Sequence, residues 1–141
     1  MSHATLFRCT EFRWPIRIYY ESTDAGGVVY HAEYLKFFER ARTECLRSLG
    51  FEQPELRDRE GIIFVVLSMQ IKYAQPARFN EMLEVVSTLE EVGRCRLVFR
   101  QKLLRGNATL TEAAVDVACV DSTSFRPKAI PAAIREKVSS K

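Results

Sequence analysis

Apolar residues along this chain recur with two distinct periods. Phe12, Trp14, Ile16, Ile18 and Tyr20 alternate with a face that includes Arg13, Arg17 and Tyr19, the period of a strand with one buried side. Pro15 in its middle suits an edge strand or an irregular start. From Tyr34 the spacing lengthens. Leu35, Phe38, Ala41, Cys45, Leu46 and Leu49 recur at helical intervals, with Lys36, Glu39, Arg40, Glu44 and Arg47 between them, and Gly50 is placed to stop the helix as a C-cap. Residues 54–61 read as a polar connection. Ile62 to Tyr73 predicts a long strand, apolar on both faces at its start and alternating from Leu67, which Pro76 ends or bends. Met82 to Glu90, Arg94 to Arg105 and Ala108 to Asp121 predict three more strands, and the short turns at Gly93 and Gly106-Asn107 make them antiparallel neighbours. Pro131 ahead of Ala132 to Val138 predicts a short terminal helix.

The order is therefore one strand, one helix and four strands, an α+β pattern in which one long helix is available to cover one antiparallel sheet. At 141 residues the expectation is a single domain spanning 1–141. One helix cannot cover five strands completely, and an open sheet has exposed edges, so self-association is expected.

Composition narrows the chemistry. Twenty-one Lys and Arg against eighteen Asp and Glu give a net charge of +3, too mild to imply nucleic acid but suited to an anionic ligand or an acidic carrier protein. No stretch approaches eighteen consecutive apolar residues, and Arg8, Glu11 and Arg13 interrupt the start, so the expectation is no membrane span, no secretory signal and a cytoplasmic location. Cys9, Cys45, Cys95 and Cys119 lie far apart without a C-x-x-C pair, which argues for free thiols rather than a metal or redox site. His3, in a terminus expected to fray, carries no functional weight.

The candidate chemistry lies between Tyr19 and Phe38, where Asp24 precedes Gly26-Gly27 and His31 stands at the start of the helix. A carboxylate facing the free N–H groups of a helix start can deliver an oxygen to a carbonyl and stabilise the charge that develops there. Gly26-Gly27 supplies the positive φ angles and close backbone approach of a tight turn. Taken alone, Asp24 also fits a turn carboxylate and His31 an ordinary helix-start residue. The loop Asp121 to Lys128 follows the last strand with two cations, Arg126 and Lys128, which fit a phosphate grip and a solvated basic loop equally well. The basic alternation Arg94, Arg96, Arg100 and Lys102 reads as the wet face of a strand.

Across Phe12–Trp14, Tyr19–Tyr20, Thr23–His31, Tyr34–Arg42 and Phe125–Pro127 the chain resembles thioesterases of the 4-hydroxybenzoyl-coenzyme A type, most closely their branch associated with the Tol–Pal gene cluster. The resemblance implies a hotdog fold, a five-stranded antiparallel sheet wrapped around one long central helix. It implies hydrolysis of acyl-coenzyme A thioesters, or of acyl-carrier-protein thioesters, by a homodimer or homotetramer with ligand tunnels at the subunit interface. No metal or organic cofactor is implied, coenzyme A being part of the substrate. Asp24 would act as nucleophile or general base, and the backbone N–H of His31 would polarise the carbonyl. The His31 side chain and Tyr20 are implied as active-site neighbours. Gly26, Gly27, Val29 and Tyr30 are implied as substrate-binding, with Arg126 and Lys128 contacting the nucleotide, and Tyr73 to Ala77 would shape the tunnel wall. Relatives tend to carry Asn or a small residue where this chain has Glu33, whose carboxylate is expected to face solvent and favour the helix N-terminus. Two other readings compete: a hotdog hydratase or dehydratase, for which no histidine-centred signature is found, and a non-catalytic acyl-thioester-binding scaffold.

Overall fold

The computed structural model describes residues 5–6 and 11–139; His3 and Cys9 lie outside the described residues. Its strands are β1 (Thr5–Leu6), β2 (Phe12–Arg17), β3 (Ile62–Tyr73), β4 (Met82–Val92), β5 (Arg96–Arg105) and β6 (Ala108–Asp121). All pair antiparallel. β4, β5, β6 and β3 lie side by side in that order, and β2 and β1 line the remaining edge of β4 one after the other. Pro15 is tolerated because β2 pairs with β4 alone, so a missing N–H breaks no central ladder.

Every second residue of β5, namely Leu97, Phe99, Gln101 and Leu103, is buried, and β4 and β6 add Leu83, Val85, Leu89, Leu110, Val115 and Val117 to the core. Helix α1 (Glu33–Ser48) lies in that core with Tyr34, Phe37, Phe38, Ala41 and Cys45 buried. Phe37 and Phe38 are each worth roughly 1.5–3 kcal/mol of burial. This is the hotdog arrangement. The apolar stripe is turned slightly from the expected one: Phe37 and Tyr34 point inward, whereas Leu35 is exposed. α1 ends in a Schellman motif, with Gly50 N–H donating to Arg47 C=O at 2.9 Å, Phe51 N–H to Leu46 C=O at 3.0 Å, and Gly50 at φ +94°.

One polar latch crosses the core. Arg42, only 8% exposed, donates from Nη1 to Gln101 Oε1 at 3.0 Å, and Gln101 Nε2 donates to Phe38 C=O and Ser87 Oγ, both at 2.9 Å. Each group finds a partner, as buried polar atoms must.

Four expectations are corrected. The first long strand stops at Arg17, and Tyr20–Ser22 form a 3₁₀ turn in which Thr23 N–H reaches Tyr20 C=O at 3.0 Å. Residues 54–61 are not an open connection: a helical turn α2 (Gln53–Glu55) widens over Leu56–Glu60 and closes on Gly61. β5 begins at Arg96, two residues late, because Gly93 N–H turns back to Arg96 C=O at 2.7 Å. The start of β3 is not buried on both faces. Among the described residues β3 pairs only with β6, leaving its other edge without a strand partner, and Val66 and Leu67 are 51% and 60% exposed. A short α3 (Ala132–Ser139) follows, anchored by buried Ile130 and Ile134. Among the described residues no helix is long and apolar enough to cross a membrane.

Candidate active site

Residues 22–30 form a narrow hairpin. Tyr30 N–H donates to Ser22 C=O at 3.0 Å, Thr23 pairs with Val29, and Asp24 N–H donates to Val28 C=O at 2.9 Å. Asp24 thus stands at the tip and the mouth of α1 begins at the base. Two residues of extended chain, about 7 Å, separate Asp24 from the Ser22–Tyr30 rung. At the tip Gly26 N–H donates to Asp24 Oδ1 at 2.8 Å, and Gly27, at φ +80°, donates to Asp24 C=O at 3.0 Å. Among the described residues Oδ2 has no hydrogen-bond partner, and no cation pairs with this exposed carboxylate. It keeps an oxygen free for chemistry.

At the base the His31 and Ala32 backbone N–H groups donate no hydrogen bond among the described residues. They are orphan donors at the positive end of a sixteen-residue helix. Val29, Tyr34, Tyr73, Ala74, Gln75, Pro76 and the His31 side chain line an open cavity of about 250 Å³ beside them. Its walls are stitched together. Val29 N–H donates to Ala77 C=O at 2.9 Å, Ala77 N–H to Tyr34 Oη at 3.0 Å, and Tyr73 Oη to His31 C=O at 2.9 Å. The His31 ring packs between Tyr30, 4.6 Å away, and Tyr73, 6.4 Å away. Burial, reinforced by Tyr34, pushes the Tyr73 phenol above its ordinary value, so it stays a donor.

Of the residues singled out from the sequence, Asp24, Gly26, Gly27, Val29, Tyr30 and His31 therefore share one hairpin and the helix it leads into. Tyr20 does not join them by its ring. It is 78% exposed and meets Phe79 edge-on at 5.6 Å. Arg126 and Lys128 lie beyond β6, whose end pairs with the start of β3, whereas His31 touches Tyr73 at the opposite end of β3. Roughly 35 Å of strand separates the two places within one chain. The loop between is well built: Asp121 Oδ2 accepts the Thr123 and Ser124 N–H groups at 3.0 and 2.8 Å, which holds its carboxyl below the usual range. The Lys128 ammonium donates to Glu60 C=O at 3.1 Å and lies 3.7 Å from Asp121, so it ties this loop to the one before β3. Arg126 is exposed.

Glu33 does not simply face solvent. Its side chain is 20% exposed, accepts the Ser22 hydroxyl at 3.3 Å and pairs with Lys36 at 3.1 Å. Sequence reading also missed the Tyr34 and Tyr73 hydroxyls as ties. A tyrosine on the buried stripe of a helix needs a partner for its hydroxyl, and that signal was available for Tyr34. Cys95 and Cys119 are free thiols. Arg96 and Arg100 pair with Asp116 and Glu90 at 2.6 and 3.1 Å, as a wet strand face would. Among the described residues no group of three or more His, Cys, Asp or Glu side chains gathers in a form that could hold a metal.

Comparison with known proteins matches the description "Thioesterase superfamily" over residues 26–112. The Acyl-CoA thioester hydrolase YbgC of Escherichia coli O157:H7 is 48% identical over 126 residues, 89% of this chain and 93% of that protein. The Acyl-CoA thioesterase YbgC of Haemophilus influenzae is 46% identical over 124 residues, 88% of this chain and 91% of that protein. The crystal structure of a probable thioesterase from Bartonella henselae superposes with a TM-score of 0.83 at 34% identity, covering 86% of this chain and all (100%) of that one.

Proposed function

Since this chain belongs to the thioesterase superfamily and is an acyl-coenzyme A thioester hydrolase, we propose that Asp24 delivers or activates the attacking oxygen while the His31 N–H receives the charge gathering on the thioester oxygen. The observation that supports this is the hairpin itself, which carries a carboxylate with a free oxygen at its tip and an orphan amide just past its base. In this reading a thioester whose carbonyl oxygen sits at the His31 amide is attacked at its carbonyl carbon from the Asp24 side.

Two routes use this geometry. As general base, Asp24 takes a proton from water as the water oxygen bonds to the carbonyl carbon; the C–S bond then breaks, and the thiolate leaves and gains the proton. As nucleophile, Asp24 forms a mixed anhydride with release of thiolate, and water opens it to the free acid. Both need only water and this chain's groups, without a metal or organic cofactor. The His31 ring walls the acyl slot, with Tyr30 packed against it at 4.6 Å.

We assign the functional unit as a homodimer or homotetramer. The free edge of β3, with Val66 and Leu67 exposed, is the surface a second copy pairs with. Antiparallel pairing of two β3 edges sets the Arg126–Lys128 loop of one copy beside the His31 end of the other, where Arg126 grips the coenzyme A phosphates. An acyl carrier protein is a second thioester donor that the mildly basic surface suits. The cytoplasm and the Tol–Pal-associated branch complete the proposal, the latter resting on the Thr23–His31 and Tyr34–Arg42 segments.

The test is thiol release from a panel of acyl-coenzyme A substrates by wild type and Asp24→Asn. A loss of about 10²–10⁴-fold in kcat, with KM and melting temperature retained, is expected for a general base. Full turnover by Asp24→Asn overturns the mechanism.

A further inference from the structure

Ser22 is the buried polar side chain of the Asp24 hairpin, 7% exposed, and it holds two partners at once. Its carbonyl accepts the Tyr30 N–H at 3.0 Å, closing the base of the hairpin, and its hydroxyl donates to Glu33 Oε1 at 3.3 Å, in the first turn of α1. The other Glu33 oxygen is taken by Lys36 at 3.1 Å. Ser22 lies two residues before Asp24, and Glu33 two residues after His31. The pair therefore spans the gap between the proposed oxygen-delivering carboxylate and the proposed oxyanion donor.

We propose that Ser22 and Glu33 form a positioning pair that sets the separation of the Asp24 carboxylate from the His31 amide; this rests on the hydrolase mechanism above. Closing the hairpin by the Ser22 carbonyl alone fixes its width. Backbone bonds hold the far strand of the hairpin, Val29 N–H donating to Ala77 C=O and Glu33 N–H to Tyr30 C=O, both at 2.9 Å. The hydroxyl–carboxylate bond is the side-chain tie from the near strand, which leads to Asp24, to the first turn of α1. Misplacement of a reacting group by even 1 Å is enough to cost about 10²-fold in rate, so a single such tie matters to turnover.

Glu33 also carries a charge next to the site where an oxyanion develops. A carboxylate turned toward that point would oppose the reaction, and the positive helix end would no longer act on the substrate alone. Ser22 and Lys36 between them engage both Glu33 oxygens and turn the charge aside. The pair thus makes an acidic residue at this position compatible with oxyanion chemistry.

The test is a double-mutant cycle of Ser22→Ala and Glu33→Ala, with Glu33→Gln as the conservative variant, assayed by steady-state thiol release and by amide hydrogen exchange of the peptide covering residues 22–31. Each alanine variant is expected to lower kcat about 5–30-fold with KM within about threefold, and the double variant to be no worse than the poorer single one. Glu33→Gln, which keeps an acceptor for the Ser22 hydroxyl, restores kcat to within about twofold of wild type. Exchange across 22–31 quickens in both alanine variants and not in Glu33→Gln. Additive losses, an unchanged kcat in Ser22→Ala, or unaltered exchange in the alanine variants would each overturn the pair. Absence of thiol release from the wild type refutes the hydrolase reading instead, while the exchange data still decide whether the tie exists.

Discussion

The phenolic hydroxyl of Tyr73 donates to the backbone carbonyl of His31 at 2.9 Å, joining the last residue of β3 to the residue two before the start of α1. The bond holds the His31 peptide at the end of the sheet. Removing it in Tyr73→Phe forfeits one neutral hydrogen bond of about 1 kcal/mol. Where that energy is used to aim the amide, kcat falls by about fivefold with little change in KM. Steady-state thiol-release kinetics check this, and an unaltered kcat shows the tie to be idle in turnover.

Gly26 and Gly27 separate space from backbone conformation. A Cβ on Gly26 would sit 3.3 Å from Asp24 Oδ1, and the carboxylate is the neighbour able to give way. Gly26→Ala is expected to fold normally while losing about tenfold in kcat, since a shift of a few tenths of an ångström moves the carboxylate proposed to deliver or activate the oxygen. A Cβ on Gly27 meets nothing within 4 Å, but φ there is +80°. Gly27→Ala is expected to cost about 1–2 kcal/mol of stability. Thermal melts alongside kinetics separate the two, and the reverse pattern contradicts the assignment.

Shared sites can be tested by mixing. In the proposed antiparallel β3 pairing each site would take Asp24 from one copy and Arg126 from the other, so a hybrid of Asp24→Asn and Arg126→Ala chains would contain one fully wild-type site. Arg126→Ala alone is expected to raise KM about tenfold or more, the loss of one charge-assisted contact. Co-refolded chains should recover up to half of wild-type turnover per hybrid dimer. No recovery places Arg126 and Asp24 in the same chain's site or in none. Val66→Lys with Leu67→Lys should give a monomer by light scattering and abolish recovery.

Burial pushes the Cys119 thiol up from 9.0 to about 11, with Cys95 adding to the shift and Lys128 opposing it. The unfolded chain therefore releases this proton first. Stability is intact below about pH 9 and declines as pH rises toward 11. Denaturant melts from pH 8 to 11 should show this decline in wild type and a flatter profile in Cys119→Ala, whatever that variant loses at neutral pH. Alkylation under native conditions should modify Cys95, part exposed, far faster than Cys119. Equal rates contradict the burial argument.

Local chemistry was legible in the sequence and distant chemistry was not. Ile62–Tyr73 and Ala108–Asp121 form strands over the residues their period indicates, because side-chain alternation is a property of the strand itself. The turn at Asp24-Ala25-Gly26-Gly27 was equally readable, since an Asp side chain reaching a backbone N–H two residues on is a local bond. The status of β3 as an edge was hidden. An apolar run reports that both faces avoid water, and a strand awaiting a second copy has the same composition as one already covered. The Tyr73–His31 and Ser22–Glu33 bonds span 42 and 11 positions, and no spacing rule connects such partners before the chain has folded. The strand alternation runs on in the sequence three residues past Arg17, into the Tyr20–Ser22 turn, where it no longer orients side chains.

The core latch of Arg42, Gln101 and Ser87 grips the Phe38 carbonyl one turn inside α1. Axial sliding of the rod is resisted from inside the fold, by side chains of α1, β4 and β5. Drift in the residues around the helix mouth can then retune which acyl groups are accepted without displacing the amide proposed to receive the developing charge, so that catalytic register and substrate range are free to evolve on separate clocks.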